Sequence, residues 1–252
     1  MNEKDFYDSG IFRGAIELLR GSAAATMRHK REFARHVFNK MQDGSFITDW
    51  TTSGGANRHD YTVTMPSGRT AVIELKGCMD GNNTTIFERP NNANEFIIWS
   101  LCPNKGSDPR KNAWSGIHVR LGAEIISRSV QVDGLIIWDM LCGTEFRPCP
   151  KLRVDSSRTT ELGSHQLPPP CIYLFPSTIP SPRNNPKPRP QELKEVHFLE
   201  AFAKCFGAHD EEVISVEFEV QFRGSDVFRT TTITKNGLVN HSSKPSSIKR
   251  AG

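Results

Sequence analysis

The stretch HDYTVTMPSGRTAVIELKG, residues 59–77, holds two short alternating, β-branched runs around a turn. DYTVTM (60–65) and TAVIELKG (70–77) have the period-2 pattern of strands, and Pro66-Ser67-Gly68-Arg69 supplies turn chemistry between them. This predicts a β-hairpin. Residues i and i+2 of a strand share a face, so Glu74 and Lys76 point one way and Ile73 and Leu75 the other. An ionised Glu and Lys amid Val72, Ile73 and Leu75 is costly in a core, so it marks an edge facing water or a site that needs both charges. A simple register around Ser67-Gly68 pairs Pro66 with Arg69 and Tyr61 with Glu74. Asp60 then faces away from Glu74 unless a bulge or bend at 59–61 re-aims it.

Before the hairpin, residues 10–20 carry a helical pattern. A second helix is predicted at 25–42, with Phe33, Val37 and Met41 on one face and Gly44 as a C-terminal stop. A strand follows at 45–50, and TTSGGANRH is a loop. Residues 78–113 read as a long Asn-rich insertion whose main apolar run is FIIWSL (96–101). A helix is predicted at 115–128, with Ile117, Leu121, Ile125 and Ile126 inward. The continuous apolar run Leu135 to Trp138 reads as a strand buried on both faces. A helix between two strands implies a crossover, which makes strands 70–77 and 133–139 parallel in one sheet. CIYLF (171–175) is a further strand. Nine of the 16 prolines lie between 168 and 190, so 176–190 is a linker or surface arm. Residues 191–240 read as a helix and antiparallel strands, with a tight turn at Asn236-Gly237, and 241–252 as a disordered tail.

Two carboxylates at the mouth of a sheet can hold Mg²⁺, a hard cation that prefers oxygen ligands. A nearby lysine can orient a metal-bound water and offset charge developing on a phosphate. Asp60-x13-Glu74-x-Lys76, on a hairpin after a helix and a first strand, resembles the PD-(D/E)xK nuclease signature, which is most familiar from type II restriction endonucleases. The position before Asp60 is His59 rather than Pro. The resemblance covers about 25–140 and implies an α/β fold: an αβββαβ restriction-endonuclease-like core with a mixed central sheet, here with a C-terminal α+β elaboration. It implies Asp60 and Glu74 as Mg²⁺ ligands, Lys76 as the catalytic lysine, and a Glu of the first core helix, Glu32, with Glu17 less favoured. The substrate it implies is double-stranded DNA, cut by a homodimer where the target is palindromic.

The chain has 252 residues, 32 Lys+Arg and 28 Asp+Glu, a formal charge of +4. Arg28, His29, Lys30, Arg31, Arg35, His36 and Lys40 cluster against the single acid Glu32, which suits a basic face turned to a polyanion or a solvated helix face. In the Asn-rich segment Arg89, Asn91, Asn92, Asn94, Lys105, Arg110 and Lys111 are candidates for DNA contact, since Asn can pair with adenine and Arg with guanine. No apolar run is long enough for a membrane span, and the first residues lack a secretory h-region, so a cytoplasmic location with reduced thiols is expected. The spacing of Cys142, Cys149, His165 and Cys171 is not that of a structural zinc site. The reading is therefore a Mg²⁺-dependent endonuclease, expected to be sequence-specific. Its rivals are a repair, phage or transposition nuclease without sequence specificity, and a DNA-binding module of the same fold that does not cleave.

Overall fold

The computed structural model describes residues 27–53, 59–76, 86, 88–100, 117–138, 156–163 and 165–248. The predicted helix at 10–20 and candidates Lys105, Arg110 and Lys111 lie outside these residues, as do Cys142 and Cys149. Helix α1 (Met27–Asp43) precedes strands β1 (Asp49–Thr52), β2 (Tyr61–Thr64), β3 (Thr70–Lys76) and β4 (Glu95–Ser100). Helix α2 (Ile117–Arg128) leads to β5 (Gly134–Ile137). A two-stranded ribbon, β6 (Thr160–Leu162) and β7 (His165–Leu167), comes before β8 (Cys171–Leu174). Helix α3 (His197–Cys205) is followed by β9 (Val213–Arg223), β10 (Asp226–Lys235), β11 (Leu238–Ser242) and β12 (Ser246–Ile248). The protein is thus mixed α/β, with three α-helices among the described residues and one ten-stranded mixed sheet. The sheet order is β1-β2-β3-β4-β5-β8-β9-β10-β11, with β12 also on β10.

α1 forms where the apolar stripe predicts it, with Phe33, Ala34, Val37, Phe38 and Met41 buried on the sheet. The left-handed residue that ends it is Ser45 (φ 59°), not Gly44. Gly44 is needed for space instead, because a Cβ there would lie 2.8 Å from the Phe46 ring. β1, β2 and β3 are antiparallel neighbours, and β3, β4 and β5 are parallel. Strands 70–77 and 133–139 therefore run parallel in one sheet, but FIIWS stands between them as β4. That corrects its assignment to an insertion: Glu95–Ser100 is buried throughout, as only a central strand is.

Residues 191–240 form the expected helix and antiparallel strands, and these join the same sheet through the parallel pairing of β8 with β9. The Pro-rich arm doubles back, with Pro176 bridging Pro190, and Val220 N–H donates to its Pro186 carbonyl (2.9 Å). Ser246–Ile248 is strand, not disordered tail, and pairs with Val227–Arg229. Asn236 and Gly237 both take positive φ (51° and 74°), the conformation that the two-residue turn before β11 requires.

Two cores lie on opposite faces of the sheet. On one, α1 and α3 cover Tyr61, Ile73, Leu75 and Trp99; on the other, α2 covers Val72, Phe96, Ile98 and Leu135. Trp138 meets Phe33, Phe202 and Phe206 at 5.7, 5.7 and 4.7 Å, while its Nε1 donates to the Pro168 carbonyl (2.8 Å). The buried ring thus keeps its polar atom satisfied. At Gly134 a Cβ would come 2.8 Å from the Tyr173 carbonyl and 2.4 Å from Leu199 Cδ1. Gly134→Ala should therefore cost about 1–3 kcal/mol, read as a lower urea midpoint at unchanged slope. An unchanged midpoint would show that this packing is looser than described.

A buried polar network closes the end of the sheet where β3 and β4 begin. Both Glu95 carboxylate oxygens accept from the first turn of α3, from His197 N–H and Phe198 N–H (2.9 Å each). Asp133 accepts from Phe96 N–H (2.8 Å) and from Gln191. It ends its strand structurally, as its place in the sequence suggests. Burial raises the pKa of both acids above the usual carboxylate range, against the opposing pull of these hydrogen bonds. A raised carboxylate pKa means the folded state holds the proton longer than the unfolded one. The stability it confers is full below the unfolded pKa and is lost as pH rises through the folded pKa. The advantage of wild type over Asp133→Asn should accordingly shrink as pH rises from about 4 to 7. Urea midpoints of both proteins across that range test it, and a difference that stays flat or grows would refute the burial argument.

Candidate metal and nucleic-acid site

The hairpin turn decides where Asp60 lies. Met65 N–H donates to the Arg69 carbonyl and Gly68 N–H to the Met65 carbonyl (2.8 Å each), with Gly68 at φ 78°. The loop is thus three residues, Pro66 to Gly68, closed by a left-handed glycine. Tyr61 pairs with Ile73, not with Glu74. This one-residue correction brings Asp60 to the level of Glu74. Asp60 N–H donates to the Ile73 carbonyl (3.1 Å), and the chain bends at His59–Asp60, where the β2 ladder ends. The Asp60 carboxylate takes over the next position: Oδ2 accepts from Leu75 N–H (2.8 Å). The first acid is thereby anchored against the peptide that follows Glu74.

Glu74 is 3% exposed and its Oε1 forms an ion pair with Lys76 Nζ at the end of β3. Both side chains alternate with Ile73 and Leu75, which face α1, so they lie on the α2 face of the sheet. One hairpin thus sets Asp60 on the peptide that follows Glu74 and pairs Glu74 with Lys76. Glu32 is placed differently. It is exposed on α1 and lines a cleft of about 520 Å³ with Arg31, Arg35, Trp50, Thr52 and Tyr61, on the other face of the sheet. Among the described residues no three Asp, Glu, His or Cys side chains converge on one point. The donor set fits Mg²⁺ all the same, since this ion is commonly held by one or two carboxylates and keeps several waters.

The base-reading candidates sit elsewhere. Asn94 exchanges hydrogen bonds with Thr70 at the start of β3: its Oδ1 accepts from Thr70 N–H and its own N–H donates to the Thr70 carbonyl (2.8 Å each). Arg89 donates to the Asn94 carbonyl (3.0 Å) and lies 3.6 Å from Asp133. Both are structural contacts, and at about 3.3 Å per residue Thr70 lies some 20 Å along the strand from Lys76. Asn91 and Asn92 are exposed at that same far end.

Next to Asp60, His59 Nε2 meets Thr62 Oγ1 at 2.9 Å, and burial lowers its pKa despite the opposing charge of Asp60. The Tyr61 phenol is held up, first by burial and then by Asp60, against the lowering influence of Arg31 and Arg35. Tyr61 thus lies within reach of the charges on Asp60 and on the cleft arginines. The basic run 28–40 signals Arg31 and Arg35 in the sequence; the juxtaposition with Trp50 and Tyr61 emerges only on folding. Comparison with family models, characterised proteins and solved structures finds no match. Among the described residues no helix is long and apolar enough to cross a membrane.

Proposed function

We propose that the chain is a Mg²⁺-dependent endonuclease that hydrolyses phosphodiester bonds in double-stranded DNA, a cytoplasmic enzyme similar to the PD-(D/E)xK nucleases. The observation that carries the reading is the anchored first acid: Asp60 Oδ2 accepts from Leu75 N–H, beside the Glu74–Lys76 ion pair. Asp60 and Glu74 would hold the metal, whose chemistry is to polarise the phosphate and acidify a bound water. Lys76, paired with Glu74, would offer its ammonium to the attacking water and to charge developing on the phosphate. The order of α1, three antiparallel strands, α2 and a parallel strand supports the same kinship, with β4 as an added central strand. Glu32 lines the α1 cleft on the opposite face of the sheet and does not join Glu74.

Cleavage without sequence specificity is the second reading. Its support is that Arg89 and Asn94 are engaged in holding strand ends. Digestion of plasmid and genomic DNA separates the two. Discrete fragments with Mg²⁺ support a restriction-like enzyme, which would act as a homodimer on a palindromic target. A smear or nicking supports the second reading, and binding without cleavage in any divalent metal refutes both.

A further inference from the structure

We infer that the cleft between α1 and β1–β2 is a nucleotide subsite, in which Arg31 and Arg35 grip a backbone phosphate and Trp50 supports the attached base; this rests on the nuclease reading of the adjoining Asp60. Arg31 and Arg35 are four residues apart, so their guanidinium groups rise from one helix face, and both are exposed. Among the described residues neither has an acidic partner. Arg128, Arg158 and Arg189 are engaged in ion pairs, whereas Arg31 and Arg35 line this cleft together. The planar fork of Arg suits bidentate contact with phosphate.

The opposite wall is aromatic and fixed. Trp50 packs 5.5 Å from Phe38 and 6.0 Å from Tyr61, and its Nε1 donates to Asn39 Oδ1 (3.2 Å). The half-buried ring is thus pre-set, and a base stacked on it loses little side-chain freedom to order. A cleft of about 520 Å³ is large enough for a nucleotide. Among the described residues Glu32 is the one acid in the lining. It limits the positive charge and favours a ligand whose charge is a single diester over a polyphosphate.

The test uses the full chain, a short fluorescent DNA duplex and EDTA, so that binding is read without cleavage. The salt dependence of binding should become shallower by about one for each arginine removed, hence by about two in Arg31→Ala/Arg35→Ala, with affinity reduced by about tenfold or more at moderate salt. Wild-type emission should be quenched by duplex, and the quenched component should be missing in Trp50→Phe. Circular dichroism confirms that these surface variants fold. Unchanged affinity and slope in the double variant, or absent binding by wild type, overturns the subsite. Cleavage by wild type is scored separately with Mg²⁺. An unchanged slope alongside intact cleavage overturns the subsite alone, whereas Arg-dependent binding without cleavage overturns the nuclease reading alone.

Discussion

Lys76→Met is expected to lower DNA cleavage by about 100-fold or more while leaving duplex affinity within a few-fold of wild type. The Lys76 ammonium lies at the end of β3 in contact with Glu74 Oε1, one residue past the amide that holds Asp60. Methionine keeps most of the stem and removes the charge. What is lost is the cation that stabilises charge as it develops on the phosphate, so the effect should fall on the catalytic rate and not on affinity. Glu74 is buried, so the variant also loses part of the compensation for a buried carboxylate, and its unfolding midpoint should drop. Single-turnover cleavage at a temperature well below that midpoint separates the two effects. A variant that cleaves at the wild-type rate removes Lys76 from the mechanism.

Glu95→Ala is expected to destabilise the fold by about 3 kcal/mol, the largest effect of any single polar substitution considered. One carboxylate, 2% exposed, accepts two N–H groups at the start of α3, and Arg69 lies 3.6 Å away. Alanine leaves the buried Phe198 N–H and the part-buried His197 N–H without an acceptor and removes the charge that favours a helix N-terminus. Because α3 carries Phe198, Phe202 and Phe206 into the core around Trp99 and Trp138, the loss should spread to the whole unfolding transition rather than fray one helix. Chemical denaturation followed by both tryptophan emission and circular dichroism reads this. Coincident transitions at a midpoint within a few tenths of a kcal/mol of wild type would contradict it.

Much of this architecture was legible in the sequence because it rests on short-range periodicity. The 3.6-residue stripe of α1, the alternation of β9 and the continuous run at Leu135–Trp138 each report burial of a local element. FIIWS carries the same signal as LIIW, but its setting among asparagines made it read as part of an insertion. Its burial on both faces depends on strands that flank it from far along the chain. The Asp60 register needed one further step. A glycine at the third loop position marks a three-residue turn, and Gly68 supplies it, yet one residue of error turns the whole strand over. The long-range contacts were not legible at all. Glu95 meets a helix 102 and 103 residues away, and Arg89 and Asn94 are occupied by partners that only the folded sheet brings near. Residue type alone gives no sign that Arg89 and Asn94 form a strand-end clasp. The reverse holds for Trp50, whose value as a platform depends on Phe38 and Asn39 behind it.

The central claim is that Asp60, anchored on Leu75 N–H, and Glu74 together bind a divalent ion that drives phosphodiester hydrolysis. The most direct measurement is cleavage of supercoiled plasmid by wild type and by Asp60→Asn, each in Mg²⁺ and in EDTA, with folding of the variant confirmed by its denaturation midpoint. Linear or nicked product from wild type in Mg²⁺ alone, with none from folded Asp60→Asn, is the predicted result. Product formed in EDTA, or formed equally by Asp60→Asn, would contradict it.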